Sequence, residues 1–470
     1  MDSQSPTTNP RPSPLAVVIL AAGAGKRLRS DLPKVLHPAA GLPLVHHVLN
    51  AVARLQGVER VLVVVGNGAE RVSESVAGVR PDAVFVHQTE LLGTGDAVRR
   101  CQKALEGFDG TVLVLSGDSP LVTVPTLQRL VQAHRSSGRK ATVLTANLDD
   151  PTGYGRILRG PDGEVAGIVE EKDASVEQRR VTEISSGIWC FEPAELFDAL
   201  DRITNDNAQG EYYLPDAALV VAGRSGGLGS VLTDDPAEIG GVNDRLQLAA
   251  ASRVLRRRKL AELAAGGVGI EDPETTYVDV GAEVGAGTVL RPLTFLEGAT
   301  RVGAGCSIGP STRLVDAVVE DGAEVSFSVV KESVVGAGAS VGPFASLRPG
   351  TRLGPNAKAG TFVEIKGSVV GEGSKVPHLS YVGDAEIGKG VNLAAGTITA
   401  NYDTESKVKS RTVVEDGAFT GSDTTLIAPV HLGRNAGTGA GSVVTKDVEE
   451  GQIVAGVPAR PFRKRKLEQQ

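Results

Sequence analysis

A chain of 470 residues is longer than a single hydrophobic core supports, so we expect two or three domains. The net charge of −7, without a long basic segment, argues against nucleic acid or an anionic membrane surface as the main partner. Three scattered cysteines and the lack of any run of about 18 apolar residues argue against a disulfide scaffold or a membrane span, and we expect a cytoplasmic protein.

Residues 1–14, MDSQSPTTNPRPSP, are polar and rich in serine and proline. They lack the apolar core of a signal peptide, so we expect a disordered tail. After this tail, helix-like segments such as 43–55 and 95–105 alternate with apolar, β-rich segments at 15–20, 61–66, 83–88 and 111–118. This alternation predicts a Rossmann-like α/β domain with a mostly parallel sheet and helices on both faces.

The segment 20–37, LAAGAGKRLRSDLPKVLH, places a glycine-rich turn after the first predicted strand. It fits neither a dinucleotide-binding turn, because Leu28 stands where a glycine is needed, nor a Walker A motif, which needs Ser or Thr after Gly-Lys. The backbone N–H groups of residues 23–25 and the cations Arg27 and Lys34 predict phosphate binding, although a surface position is an alternative for Lys34. Asp118 is a candidate Mg²⁺ ligand or, alternatively, a turn aspartate.

Residues 244–267 are rich in alanine, leucine and arginine and end on glycine, which predicts a linker helix. We therefore assign a first domain to 15–243 and a second to 268–470, which ends in a basic tail. In the second domain aliphatic residues recur every six positions in four runs, separated by shifts of register: Val284, Leu290, Leu296, Val302, Ile308 and Leu314; Val335, Val341, Leu347, Leu353, Ala359 and Ile365; Val370, Val376 and Val382; and Leu426 and Leu432. This period is typical of a parallel β-helix, here of roughly ten coils, rather than of a glycine-rich low-complexity linker.

Two segments of the second domain look irregular. A polar segment between Ile398 and Val413 departs from the six-residue register, and 375–383, KVPHLSYVG, brings His378 close to Tyr381. An insertion in a solenoid forms a loop on one face, often the binding face. A histidine suits general base chemistry because its ordinary pKa is near neutrality, although a surface or packed histidine is an equally simple interpretation.

The motifs LAAGAGKRL, DLPKVLHP, LLGTGDA, SGD, GYGRI, VEEKDA and VNDR occur in this order. In this combination the chain resembles the sugar-1-phosphate nucleotidyltransferases, and with the β-helix it resembles the bacterial bifunctional GlmU family. The resemblance implies synthesis of UDP-N-acetylglucosamine, a cell-wall precursor. The second domain would acetylate glucosamine-1-phosphate with acetyl-CoA. The first would then transfer uridylyl from UTP to N-acetylglucosamine-1-phosphate with Mg²⁺, releasing pyrophosphate. A left-handed β-helix, a homotrimer, and no nucleic-acid or membrane partner are also implied.

For the first domain the resemblance implies that Asp118 and Asn243 hold Mg²⁺, while Arg27 and Lys34 act on the phosphates as catalytic cations. The uracil would meet Gln88, Gly93 and Thr94. The residues implied to bind UDP-N-acetylglucosamine are Leu20, Ala21, Gly23, Lys34, Gln88, Gly93, Thr94, Gly155, Glu170, Ser185 and Asn243.

For the second domain the resemblance implies His378 as the general base, supported by Glu364. The glucosamine-1-phosphate site would contain Arg348, Lys366, Tyr381, Asn392 and Lys407. The acetyl-CoA site would contain Ala395, Asn401, Tyr402, Ser422, Ala440 and Arg460.

Three positions depart from the family pattern. Ser185 stands where an asparagine is usual, and its shorter side chain reaches less far toward the sugar. Lys26 stands where threonine is common, which places an extra cation beside the triphosphate. Gly456 stands where some members carry an arginine near the cofactor. Arg460 is the expected substitute, although the segment GVPARPFRKRK is also typical of a basic, frayed tail.

Two other functions are alternatives. A single-function sugar nucleotidyltransferase would use its β-helix only for oligomerisation or regulation, and would have no use for a catalytic histidine or for Lys407 in the insertion. A non-enzymatic scaffold of this architecture, as among translation-factor exchange subunits, would lose Arg27, Lys34 and Asp118. All of these residues are present, which favours the bifunctional enzyme.

Overall fold

The computed structural model describes residues 13–465, and the chain divides into two compact units at Leu255 and Arg256. The division lies within the helix Arg245–Ala265, where the sequence predicts a linker helix. Most of the tail expected at 1–14, and residues 466–470 of the basic tail, lie outside the described residues. Among residues 13–465, no helix has the length and apolar character that crossing a membrane requires.

The first unit is built from short and medium-length elements. Its strands are β1 (Leu15–Leu20), β2 (Pro38–Ala39), β3 (Leu42–Pro43), β4 (Val58–Val65), β5 (Val84–His87), β6 (Thr111–Ser116), β7 (Ala141–Asn147), β8 (Gly155–Arg159), β9 (Val165–Val169), β10 (Glu183–Phe191) and β11 (Gly229–Leu232). Its helices are α1 (Leu44–Ala53), α2 (Ala69–Ala77), α3 (Thr94–Arg99), α4 (Val124–Ser137), α5 (Pro193–Leu200) and α6 (Leu214–Arg224), and α7 (Arg245–Ala265) spans the division. Turns of 3-10 helix lie at Lys26–Leu28, Lys34–Leu36, Gln102–Leu105, Gln178–Arg180 and Pro236–Ile239.

One sheet has the strand order β11-β7-β10-β6-β1-β4-β5, with β8 and β9 joined to it at β10. Strand β1 pairs in parallel with β4 and β6, and β4 pairs in parallel with β5. Strand β10 runs antiparallel to β6 and β7. The predicted mostly parallel sheet is confirmed, and its ligand edge lies beyond the carboxyl ends of β1, β5 and β6.

Alternate residues of β1 enter two different cores. Ala16 and Val18 lie in a core shared with α3, α5 and α6, whereas Val17 and Ile19 lie in a core shared with α1, α2 and α4. Because helices cover both faces of the sheet, the strand is apolar at every position.

The helix expected at 95–105 is shorter than the sequence predicts. Helix α3 ends at Arg99, and the 3-10 turn Gln102–Leu105 follows it. The backbone N–H of Cys101 donates to the carbonyl of Val98, three residues back, so the last turn tightens and the α-helix ends.

The second unit is a parallel β-helix of three sheets. Sheet I contains Gly269–Ile270, Val289–Leu290, Ser307–Ile308, Glu324–Val325, Ser340–Val341, Lys358–Thr361, Lys375–His378, Asn392–Leu393, Phe419–Thr420, Gly437–Thr438, Gln452–Gly456 and Ala459–Lys464. Sheet II contains Tyr277–Val278, Thr294–Glu297, Thr312–Val315, Val329–Lys331, Ser346–Leu347, Glu364–Lys366, Tyr381–Gly383, Ile398–Ala400, Thr425–Ile427 and Val443–Val444. Sheet III contains Glu283–Val284, Arg301–Val302, Val318–Val319, Val334–Val335, Arg352–Leu353, Val369–Val370, Ala385–Ile387, Thr412–Val414 and Val430–Leu432.

The six-residue period sets which side chains fill this β-helix. The predicted aliphatic residues are buried in one continuous core, except Val284, which is half-buried against it. Equivalent residues pair from coil to coil: Leu347 lies opposite Ile365, which lies opposite Val382. The predicted parallel β-helix is confirmed, in agreement with the left-handed coil that the resemblance implies.

The two irregular segments differ in the structure. The polar insertion is a loop at 401–411, between strands of sheets II and III. The segment 375–383 keeps the register, contrary to expectation, because Lys375–His378 and Tyr381–Gly383 are ordinary strands of sheets I and II. The residue between them that alters the sequence pattern is Leu379, which turns the corner with a φ of 51°.

Candidate active sites

A cleft of about 500 Å³ lies at the carboxyl ends of β1, β5 and β6 in the first unit. Its walls come from the glycine turn, the segment around α3 and the end of β6. The lining residues are Leu20, Ala22, Gly23, Ala24, Lys26, Lys34, Val35, Gln88, Leu91, Gly93, Thr94, Ala97, Ser116, Asp118 and Glu211. The structure therefore brings together residues from three separate motifs at the edge where a parallel sheet binds its ligand.

The glycine turn packs directly on Lys34. Gly25 has a φ of 59°, and a Cβ on it would lie 2.7 Å from the Cβ of Lys34. Gly23 differs, since a Cβ there would meet no heavy atom within 4 Å. The turn thus presents open backbone beside Gly23 and holds Lys34 close beside it, an arrangement suited to a phosphate group.

Lys34, Asp118 and Asn243 form one polar cluster. The Nζ of Lys34 forms an ion pair with Asp118 and donates to Oδ1 of Asn243 at 2.7 Å. Ser116 Oγ donates to Oδ1 of Asp118 at 2.5 Å, and the backbone N–H of Val242 donates to the carbonyl of Asp118 at 2.9 Å. That last bond brings Asn243, more than a hundred residues away in the chain, to the end of β6.

This cluster suits magnesium. Two oxygen donors, from Asp118 and Asn243, already converge on one cationic group, the Lys34 ammonium. Within residues 13–465 no group of three or more His, Cys, Asp or Glu side chains could hold a metal ion. Mg²⁺ needs no such cage, because it is usually bound by one or two protein oxygens together with substrate phosphates and water.

The uracil end implied by the resemblance is built around Gln88, which is 4% exposed. Its Nε2 donates to the carbonyl of Gly93 at 3.0 Å and to Oδ2 of Asp96 at 2.9 Å. Thr94 Oγ1 accepts from the backbone N–H of Leu214 at 3.1 Å, which fixes the start of α3. Sequence reasoning missed Asp96, although it lies in the LLGTGDA motif.

The sugar end groups Gly155, Ser185 and Glu170. Ser185 pairs with Gly155 across β10 and β8, and a Cβ on Gly155 would lie 3.1 Å from Oε1 of Glu170. Burial raises the pKa of Glu170, and the carboxylates of Asp216, Asp173 and Glu211 raise it further. Glu211, one of these carboxylates, also lines the cleft.

Six residues implied to act at this site do not line the cleft, namely Ala21, Arg27, Gly155, Glu170, Ser185 and Asn243. Ala21 is 2% exposed and packs in the core, because neighbouring residues at a strand end face opposite sides, and Ala22 lines the cleft instead. Arg27 is exposed outside the lining, whereas Lys26 lies within it. Sequence reasoning missed other lining residues, namely Ala22, Ala24, Val35, Leu91, Ala97, Ser116 and Glu211, although all but Glu211 lie within the quoted motifs.

In the second unit His378 occupies a corner between sheets I and II. The residues that follow it at the same corner of later coils are Ala395, Ser422 and Ala440. Backbone bonds join them: Gly396 N–H donates to the His378 carbonyl, Asp423 N–H to that of Ala395, and Gly441 N–H to that of Ser422, at 3.3, 2.7 and 2.8 Å. One edge of the β-helix thus carries His378, the implied general base, and three of the residues implied to bind acetyl-CoA.

Polar side chains of sheet II lie beside this edge. Arg348 Nη1 donates to Oε1 of Glu364 at 2.8 Å, and Glu364 lies opposite Tyr381 on the next coil. Lys366 lies opposite Gly383, over which the Tyr381 ring folds, since a Cβ there would collide with the Tyr381 hydroxyl. The structure therefore brings together three of the residues implied to bind glucosamine-1-phosphate.

Two implied contacts are arranged differently. Glu364 was expected to support His378. Within residues 13–465 its carboxylate instead accepts a hydrogen bond from Arg348 and makes none to the His378 imidazole. The guanidinium is a stronger partner, because it is always charged. Asn392 lies on sheet I, opposite Phe419, rather than with Arg348 and Tyr381 on sheet II.

The insertion loop is fastened at its base. Asn401 Nδ2 donates to Oδ2 of Asp384 at 2.5 Å, and Tyr402, half-exposed, pairs with Lys409 across the loop. Lys407 lies near the tip with a φ of 57°.

The edge that begins at His378 and continues through Ala395, Ser422 and Ala440 is called the histidine edge below. The last strand lies beside its far end. Gly456 pairs with Ala459, and Ala455 with Arg460, in the antiparallel pair that ends sheet I. The exposed Arg460 therefore lies beside Gly456, close to the position it was expected to serve.

A family model described as the MobA-like NTP transferase domain matches residues 17–213. Over 434 residues the chain is 47% identical to the bifunctional protein GlmU of Syntrophomonas wolfei, which covers 92% of this chain and 95% of the relative. It is 52% identical over 416 residues to bifunctional protein GlmU of Pelotomaculum thermopropionicum, covering 88% and 90%. With that of Clavibacter sepedonicus it shares 48% identity over 455 residues, covering 97% and 91%. Matches of this length include residues of both units.

Proposed function

The chain belongs to the bifunctional GlmU family, and we propose that each of its two transferase activities is carried by the unit in which the matching residues lie. The first unit is the uridylyltransferase and the second the glucosamine-1-phosphate acetyltransferase. The observation that carries the first assignment is the convergence of Lys34, Asp118 and Asn243 beside the glycine turn. Relatives named bifunctional match across both units, so neither a single-function enzyme nor a scaffold is favoured.

In the first unit, UTP binds with its uracil at Gln88 and its triphosphate beside Gly23. Asp118 and Asn243 would hold Mg²⁺, which neutralises phosphate charge when bound. A phosphate oxygen of N-acetylglucosamine-1-phosphate attacks the α-phosphorus of UTP. The bond from that phosphorus to the bridging oxygen breaks, and pyrophosphate leaves with the electron pair. Lys34 stabilises the negative charge that develops on the phosphoryl oxygens.

The sugar is held at the ends of β8 to β10. Glu170 accepts hydrogen bonds from sugar hydroxyls, and Gly155 leaves room for a close approach beside that carboxylate. Ser185 offers a short hydroxyl at the same place. Holding the sugar phosphate in line with the α-phosphorus supplies much of the rate acceleration in such a transfer.

In the second unit, the neutral amine of glucosamine-1-phosphate attacks the thioester carbonyl of acetyl-CoA. A C–N bond forms, the C–S bond breaks, and CoA leaves as the thiol. His378 takes the proton from the amine and returns it to the sulfur. Arg348 and Lys366 bind the sugar phosphate, with Tyr381, Asn392 and Lys407 around the acceptor.

Acetyl-CoA lies along the edge that begins at His378. Ala395, Ser422 and Ala440 are small, so the pantetheine arm can run over them from coil to coil. Asn401 and Tyr402 contact it from the base of the insertion loop. Arg460, at the end of the edge, supplies a positive charge for the cofactor's phosphates.

The homotrimer forms through an apolar ladder that we define as Phe327, Phe344, Phe362 and Leu379. These exposed side chains occupy one corner of successive coils, with ring centroids 5.7 and 5.4 Å apart along the phenylalanines. Exposed apolar surface of this kind marks an interface, and the ladder ends beside His378.

Phe344→Glu is expected to lower the mass measured by light scattering from that of a trimer to that of a monomer. An unchanged mass contradicts the assignment of this surface as the trimer interface.

The proposed function is tested with the unaltered chain. With Mg²⁺, UTP and N-acetylglucosamine-1-phosphate it should release pyrophosphate, and more slowly with dTTP, ATP or glucose-1-phosphate. With acetyl-CoA and glucosamine-1-phosphate it should release free thiol. Absence of either product, in folded protein, contradicts the assignment for that unit.

A further inference from the structure

Asp96 is a buried carboxylate in the first unit to which the roles above give no task. It lies in α3 and is 2% exposed. Its Oδ1 accepts from Nη2 of Arg99 at 3.0 Å, and its Oδ2 accepts from Nε of Arg100 at 2.9 Å and from Nε2 of Gln88 at 2.9 Å. Burial raises the pKa of Asp96, but the hydrogen bonds from these three side chains outweigh burial and lower it. The group is therefore ionised and can only accept hydrogen bonds.

The contacts of Asp96 fix the orientation of the Gln88 amide. Nε2 of Gln88 uses both hydrogens, one on Asp96 and one on the carbonyl of Gly93 at 3.0 Å. A flipped amide would place Oε1 against two acceptors and lose both bonds. Oε1 is consequently the atom that Gln88, a residue of the cleft wall, keeps available for a ligand. This atom accepts and never donates.

We propose that Asp96 is a positioning residue that selects the nucleobase, because it holds Gln88 with Oε1 turned toward the base as an acceptor. Uracil has an N–H at N3 and donates to such an acceptor. Cytosine has an unprotonated nitrogen at N3, so two acceptors would face each other. A buried polar site that leaves an acceptor unpaired rejects the wrong ligand strongly. The inference rests on the proposed uridylyl transfer in this cleft.

Replacing the carboxylate with an amide tests the proposal. The new side chain in Asp96→Asn can donate as well as accept, so it can bond Gln88 in either orientation, and only the Gly93 carbonyl still favours the original one. We expect the ratio of kcat/KM for UTP to that for CTP to fall at least tenfold, the order of one lost charge-assisted hydrogen bond. Acetyl transfer by the same chain should not change. A ratio within twofold of the unaltered chain, in folded Asp96→Asn, overturns the proposal.

Asp198→Asn is the matched control. Asp198 also accepts from two arginines, Arg202 and Arg224, but it is a half-buried residue of α5 outside the cleft lining. Its substitution removes the same charge and should leave the UTP to CTP ratio unchanged. A fall equal to that of Asp96→Asn would mean that the loss of an arginine-paired carboxylate alone changes selectivity, which contradicts positioning.

A second measurement needs no substitution. In 3-methyl-UTP the N3–H is replaced by a methyl group, so the unaltered chain should use it at least tenfold less well than UTP. Equal use of the two nucleotides overturns the proposal even if Asp96→Asn does not fold. A chain that transfers nothing from UTP is a different outcome, because it contradicts the proposed function itself.

Discussion

At the scale of single residues, two glycines of the phosphate turn have different reasons to be glycine. A Cβ at Gly23 meets no protein atom within 4 Å, whereas one at Gly25 would lie 2.7 Å from the Lys34 Cβ, at a backbone φ of 59°. Gly23 is therefore a glycine that leaves room for a ligand. Gly25 is a glycine that the folded chain itself needs, because its backbone φ is positive and Lys34 packs against it.

Gly23→Ala and Gly25→Ala should separate these two roles. We expect Gly23→Ala to keep its thermal unfolding temperature while its KM for UTP rises about tenfold, because the methyl group occupies the phosphate position. Gly25→Ala should lose about 1–3 kcal/mol of stability as well, from backbone strain and displacement of Lys34. Calorimetry and initial-rate kinetics check both. Equal effects on stability would contradict the distinction.

Glu170 links pH to both stability and sugar binding. Burial and the carboxylates of Asp216, Asp173 and Glu211 raise its pKa, so its ionised form is penalised in the folded state. The contribution of Glu170 to stability is therefore full below the ordinary glutamate pKa of about 4.3 and is lost as pH rises through the raised value.

Glu170→Gln removes this penalty. We expect the variant to unfold at a higher temperature than the unaltered chain at pH 8, with the difference closing as the pH is lowered toward 4. Its KM for N-acetylglucosamine-1-phosphate should rise about tenfold, because a charged acceptor is lost. Calorimetry across this pH range is the measurement, and a variant less stable at pH 8 would contradict the cause assigned to the shift.

At the scale of elements, patterns in the sequence predicted the features of the fold that depend on neighbouring residues. The apolar strands of the first unit and the six-residue period of the second followed from alternation and spacing, as Leu347, Ile365 and Val382 show. The helix predicted at 95–105 was too long. The backbone bond from Cys101 to Val98 tightens the last turn, and α3 ends at Arg99. The contact of Lys34 with Asn243 depends on tertiary packing that one sequence does not display.

Neighbouring valines on one strand of sheet III test the core of the β-helix. Val370 is fully buried, and Val369 beside it is 46% exposed. Val370→Ala should cost about 2 kcal/mol, from lost burial and the cavity left behind. Val369→Ala should change stability by less than about 0.5 kcal/mol. Denaturant unfolding measures both, and similar costs would contradict the inward register.

At the scale of the whole molecule, one chain carries two groups of site residues that share no member. The nucleotide cleft uses residues of the first unit, and the histidine edge uses residues of the second. The sequence predicted this division, since a glycine turn and a six-residue repeat follow different patterns. Each reaction should therefore be lost without the other.

The most direct measurement is a one-pot conversion of glucosamine-1-phosphate, acetyl-CoA and UTP to UDP-N-acetylglucosamine by two variants. Asp118→Ala alone should accumulate N-acetylglucosamine-1-phosphate, and His378→Ala alone should leave the amine unacetylated. An equal mixture of the two should restore the final product, since each variant supplies the step that the other lacks. Loss of both steps in either folded variant, or no product from the mixture, would contradict two separate sites in one chain.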